Sequence, residues 1–221
     1  TVLDGFIGEE WRWTFSGNYD RVETDTFTGR GYGVTPFQDR VNVGYPTADP
    51  FGTVTPADFA GAPALLVAFI SNRCPFVVLI REELAAYARD YAGKGVAVLA
   101  INSNDATLYP EEAASELARE ASDHGYAFPY VKDATQDVAR AFRAACTPDL
   151  FLYDGAGRLA YHGQFDDARP GNGKPVTGAD LRAASDAILA GRAPVAAQLP
   201  SIGCNIKWLP AEVLPDQRKA S

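Results

Sequence analysis

Ala64-Leu-Leu-Val-Ala-Phe-Ile70 is an unbroken apolar run, the pattern of a strand buried on both faces of a parallel or mixed sheet. A short polar turn, Ser71-Asn-Arg, follows it. Apolar positions then switch to helical spacing: Ile80, Leu84, Tyr87 and Tyr91 share one face, while Arg81, Glu82, Glu83, Arg89 and Asp90 fall elsewhere. This predicts a helix over 75–91, closed at Gly93-Lys-Gly95. Val96-Ala-Val-Leu-Ala-Ile101 is a second buried strand. Pro110, with Glu111 and Glu112 in its first turn, opens a helix running to about His124. Phe128–Val131 is a short extended piece, and Thr135–Phe142 a short amphipathic helix. A loop from Ala145 leads into a strand ending at Asp154. Asp154-Gly-Ala-Gly157 has hairpin chemistry and Arg158–His162 is the returning strand. The last helix spans Ala179–Leu189.

Before position 46 the pattern changes. Trp11, Trp13, Phe15, Tyr32 and Tyr45 are strung among Gly, Thr, Asp and Arg without helical period. Only Trp11–Phe15 alternates like an edge strand. Farther on, Gly52–Thr55 suggests a short strand and Pro56–Gly61 one helical turn. The chain thus divides into an extension (1–45), a domain (46–192) and a tail (193–221) carrying Cys204. The extension reads either as an aromatic coat folded on its own domain or as a docking arm for a protein partner, since Trp, Tyr and Arg dominate interface energetics. Within the domain, parallel strands with crossover helices come first and an antiparallel hairpin closes the sheet. The predicted architecture is an α/β three-layer sandwich of the thioredoxin-like kind, with a central mixed sheet and helices on both faces.

Charge and composition narrow the function. A net charge of −8 with interspersed signs disfavours nucleic acid and anionic membrane. No apolar run reaches the length of a membrane span. Three cysteines in 221 residues are no disulfide framework. His124 and His162, the two histidines, have no ligand spacing with any cysteine, so no metal or cofactor is expected and each reads as a surface or sheet-edge residue. The absence of methionine, even at position 1, reads as a processed chain. A soluble protein of an organelle of the plastid kind or of the cell envelope is favoured over the cytoplasm.

Cys74 stands where the first strand hands over to the helix. With Pro75 as first helical residue, proline takes its preferred position and Cys74 becomes the N-cap, under the partial positive charge of the helix end. That setting favours a reactive thiolate. The competing reading makes Cys74 a small buried hydrophobe. The loop 163–178, with Asp166, Asp167, Arg169, Asn172 and Lys174, reads as one that satisfies its own backbone rather than as an acid/base or metal cluster.

Five stretches, in order, resemble bacterial thioredoxin-family proteins related to the alkyl hydroperoxide reductase and thiol-specific antioxidant group. They are Ser71–Phe76, Ala100–Asp105, Ala145–Asp149, Gly163–Gly178 and Pro200–Trp208. The resemblance covers about Gly52 to Trp208. It implies that Pro148 is a cis-proline facing Cys74, that Thr147 offers backbone groups to an extended thiol substrate, and that Cys146 lies nearby. Relatives usually carry Cys-x-x-Cys where this chain has Ser71-Asn-Arg-Cys74. Serine cannot form the mixed disulfide of dithiol exchange, so a disulfide reductase working through this motif is excluded. What remains is similar to the peroxiredoxin arrangement Thr/Ser-x-x-Cys-Pro, in which the hydroxyl, here of Ser71, orients peroxide and Cys74 becomes a sulfenic acid. The match departs at Val67, where that family has proline. Arg73 is the adjacent candidate cation, and Cys204 the candidate resolving thiol, with Cys146 as the alternative. The rival expectation is a non-catalytic accessory subunit docked through residues 1–45.

Overall fold

The structure, a computed structural model, describes residues 2–7, 11–16, 59, 61–194 and 196–210, the first two segments as backbone only. The expected strand Gly52–Thr55, most of the turn at 56–61 and most of the extension lie outside the described residues. Val2–Ile7 (β1) and Trp11–Ser16 (β2) pair as an antiparallel ribbon. The strand expected at Trp11 is there; its partner β1 carried no alternation to announce it.

Ala64–Phe69 (β3) is the middle strand of a five-stranded sheet. On one side it pairs in parallel with Val96–Asn102 (β4), which pairs in parallel with Tyr130–Lys132 (β5). On the other it pairs antiparallel with Asp149–Asp154 (β7), which pairs antiparallel with Leu159–Gly163 (β8). The spatial order is β5-β4-β3-β7-β8. Cys146–Thr147 (β6) stands apart, antiparallel to Cys204–Asn205 (β9).

The period of two in β3 sorts its side chains between two layers. Leu66, Ala68 and Ile70 pack with Val77, Ile80, Leu84 and Tyr87 of helix Pro75–Ala92 (α1), with Leu117 of Ala114–Asp123 (α2) and with Leu181 of Ala179–Leu189 (α4). Val67 and Phe69 face the other way, onto Val138, Ala139 and Phe142 of Asp137–Phe142 (α3), joined by Ile206 from the tail. Burying each large apolar side chain contributes roughly 1.5–3 kcal/mol. This is the expected three-layer sandwich with helices on both faces. Among the described residues no helix is long and apolar enough to cross a membrane.

One expected helix is interrupted. Pro110–Glu112 form a separate 3-10 turn, and α2 starts only after Ala113, whose backbone is extended at φ −70° and ψ 153°. The break lets Glu112 turn inward, fully buried, while its neighbour Glu111 stays exposed.

Candidate functional site: a thiol cluster at the start of the first helix

Cys74 is the N-cap of α1, with extended backbone at φ −70° and ψ 119°, and Pro75 is the first helical residue. The field of the helix end therefore falls on the sulfur. The side chain is 2% exposed, and its Sγ donates a 3.0 Å hydrogen bond to the carbonyl of Thr147. That bond is made by an S–H and is absent once the sulfur is oxidised. The Thr147–Pro148 peptide is cis. Cys146, also buried, donates to the Pro148 carbonyl at 3.4 Å.

The third thiol is delivered by the tail. β9 lays Cys204 opposite Thr147, and its half-buried side chain packs against the cluster that contains Cys74. No disulfide joins any of the three cysteines. Burial first, then the Cys74 thiol beside it, pushes the Cys204 thiol up to about 11. Burial, with the Asp149 carboxylate as second cause, pushes Cys146 to about 12. Both are therefore protonated near neutrality. Among the described residues no group of His, Cys, Asp and Glu is arranged to hold a metal.

The other end of the same turn is anchored differently. Ser71 Oγ donates to Glu112 Oε1 at 2.6 Å, so its proton goes to a buried carboxyl rather than towards the sulfur. The Asn72 N–H reaches Glu112 Oε2 at 3.3 Å, and the side-chain amides of Asn102 and Asn104 donate to the same carboxyl. Tyr130 Oη links Asn102 to Asn72. Lys132 Nζ donates to Asn102 Oδ1 at 2.8 Å, and burial pulls its pKa down to about 8. Arg73 is exposed and its guanidinium lies 4.4 Å over the Tyr109 ring. Its charge acts on Cys204, where it is the last of several causes and lowers the pKa.

The model of the AhpC/TSA family matches residues 41–162. This chain belongs to the AhpC/TSA family. A crystal structure of a hypothetical protein from Sinorhizobium meliloti 1021 is 62% identical, covers 77% of this chain and 97% of its own, and superposes with a TM-score of 0.71. An uncharacterized conserved protein from Geobacillus kaustophilus is 44% identical over 82% of this chain and 95% of its own, with a TM-score of 0.72. A thioredoxin-like protein solved in its oxidized form is 18% identical at a TM-score of 0.51, covering 71% of this chain and 97% of its own, a likeness of fold alone. No curated protein matches the sequence.

In this AhpC/TSA chain, Cys74, Thr147, Pro148, Cys146 and Cys204 come together at one place. Ser71 and Arg73 border it but direct their polar groups to Glu112 and Tyr109. The residues that sequence reasoning missed are Glu112, Asn104 and Gln136. Glu112 looked like a helix-start signal, identical in kind to Glu111. Asn104 looked like a loop residue and Gln136 like part of the short helix from Thr135, yet Gln136 is the N-cap of α3 and both hold the tail. Asn104 Oδ1 accepts the Lys207 N–H at 2.8 Å; Gln136 Nε2 donates to the Lys207 carbonyl at 2.8 Å, and its Oε1 accepts the Leu209 N–H at 2.7 Å. The histidines are a helix-end residue on Glu82 (His124) and a sheet-edge residue on Asp149 (His162). The loop 163–178 ties itself together: buried Asp166 accepts the N–H groups of Ala168, Thr177 and Gly178.

Proposed function

We propose that this thioredoxin-fold redoxin is a thiol peroxidase in which Cys74 is the peroxide-attacking sulfur and Cys204 the resolving thiol. The observation that carries this reading is the pairing that sets Cys204 opposite Thr147, the residue whose carbonyl accepts the Cys74 S–H at the N-terminus of α1, and packs Cys204 against the cluster that holds Cys74. In the first step the Cys74 thiolate attacks one oxygen of a hydroperoxide ROOH. The S–O bond forms, the O–O bond breaks, and ROH leaves with a proton, giving Cys74–SOH. Sulfur is oxidised by two electrons and the peroxide reduced by two. In the second step Cys204 attacks that sulfur, water leaves, and a Cys74–Cys204 disulfide remains. An external dithiol then reduces it by exchange.

The test is hydrogen peroxide consumption with dithiothreitol as reductant. Wild type is expected to consume peroxide catalytically and Cys74→Ser to fall to the uncatalysed background. Equal background rates for both overturn the proposal. They favour instead the reading of an accessory subunit docked through residues 1–45, to which the near-complete burial of Cys74 lends weight.

A further inference from the structure

The site just described already has a strand seated on it, and that strand is part of the same chain. Thr147 is the backbone edge beside Cys74, and β9 occupies it by pairing with Thr147 and Cys146. Contacts on both sides hold the segment down. Upstream, Leu199 O accepts the Gln164 N–H at 2.9 Å and Ser201 Oγ donates to the Gly163 carbonyl at 2.8 Å. Downstream, Asn104 and Gln136 grip Lys207 and Leu209, the Asp105 N–H reaches Lys207 O at 2.8 Å, and Arg140 lies 4.6 Å over the Trp208 ring. Between the two clamps the chain passes so close to Thr147 that a Cβ on Gly203 would lie 1.9 Å from its carbonyl oxygen. Only glycine permits that approach.

We infer that segment 199–209 is a resident thiol strand that makes this site selective for small hydroperoxides and closes it to protein disulfides. A disulfide carried on a folded partner must bring its sulfur to Cys74 along the edge that β9 fills, and must displace Cys204 to do so. A hydroperoxide is little larger than two waters and enters by local breathing, without loss of the strand. Reactivity towards a bulky reagent then scales with the fraction of molecules whose tail is undocked. The inference rests on the peroxidase reading for its choice of substrate, but the steric claim stands or falls separately.

The experiment uses the reduced full chain and two probes of Cys74, iodoacetamide and a polymer-linked maleimide, with the labelled peptide located by mass. Wild type, Gly203→Val and Gln136→Asn are compared. Asparagine tolerates the left-handed backbone of residue 136, at φ 66°, but is too short to reach both Lys207 and Leu209. Each variant is expected to label at Cys74 with the polymer at least about tenfold faster than wild type, because the added side chain or the lost clamp releases the tail. Iodoacetamide rates change less than the polymer rates. Native disulfide-linked insulin follows the polymer: inert with wild type, while in the variants Cys74 attacks one of its disulfides, forming a mixed disulfide and releasing the other insulin half-cystine as a thiol. Equal polymer labelling of wild type and of Gln136→Asn, or a wild-type mixed disulfide with insulin, overturns the inference. Background peroxide consumption alongside the expected labelling pattern overturns the peroxidase reading and leaves the resident strand intact.

Discussion

The two ends of the turn Ser71–Cys74 lie three residues apart and in opposite surroundings. At the Ser71 end, a buried carboxyl gathers donors from Ser71, Asn72, Asn102 and Asn104, with Tyr130 and Lys132 behind them. At the Cys74 end, the sulfur has one carbonyl, that of Thr147, as its hydrogen-bond partner. A saturated polar network in a low-dielectric interior fixes geometry and is costly to leave half-made. A sulfur with a single weak hydrogen bond exchanges partners at little cost. The difference assigns the turn a fixed end, which aims α1, and a labile end at the sulfur, where the proposed chemistry would take place.

The largest expected effect comes from breaking the fixed end. Glu112→Leu takes the acceptor from the buried Ser71 hydroxyl and Asn104 amide and from the Asn72 N–H, each costing about 1–3 kcal/mol. Thermal unfolding should show Tm lower by roughly 10 °C. Cys74→Ser should stay within about 1 kcal/mol of wild type on the same measurement, because only a weak sulfur hydrogen bond changes. Comparable losses for the two variants would erase the contrast. Ser71→Ala is intermediate: it removes one donor from Glu112, about 1–2 kcal/mol, and should leave peroxide consumption within a few-fold of wild type. A loss of turnover as large as that of Cys74→Ser would instead give Ser71 the peroxide-orienting role.

Two predictions concern pH. The pKa of Lys132, lowered by burial to about 8 against an ordinary 10.5, means that its charged form is disfavoured in the folded state. Between pH 8 and 10.5 the unfolded chain holds this proton more tightly, so stability from this group rises with pH across that window and is flat below it. Denaturant unfolding of wild type against Lys132→Met should show the difference moving in favour of wild type from pH 8 upward. At the labile end, burial keeps Cys204 protonated to about 11. Closure of the Cys74–Cys204 disulfide after a peroxide pulse should therefore accelerate as pH rises above neutrality, since thiolate is the attacking species. The smallest effect is expected at Cys146, which bonds only the Pro148 carbonyl: Cys146→Ser should leave peroxide turnover unchanged.

How much of this was legible in the sequence follows the range of the interactions involved. The apolar run of β3, the helical spacing of α1 and Pro75 at its first position are local signals, and they located Cys74 at the helix N-cap correctly. The bounds of α4, Ala179–Leu189, were equally local. The fixed end was not legible. Glu111 and Glu112 are the same residue type at adjacent positions, and only the extended backbone of Ala113 turns one of them inward. Nor was the tail. β6 and β9 are two residues each, too short for any period, and they join positions nearly sixty apart. Gly203 looked like any loop glycine, because the carbonyl that excludes a side chain there comes from Thr147.

The central claim is that Cys74 and Cys204 work as a pair. It is tested most directly by mass mapping of the full-length reduced protein after one equivalent of hydrogen peroxide. A single intramolecular disulfide linking the Cys74 and Cys204 peptides, absent in Cys204→Ser, is the predicted result. Cys74 recovered as an unmodified thiol, or the bond found instead between Cys146 and Cys204, would contradict it.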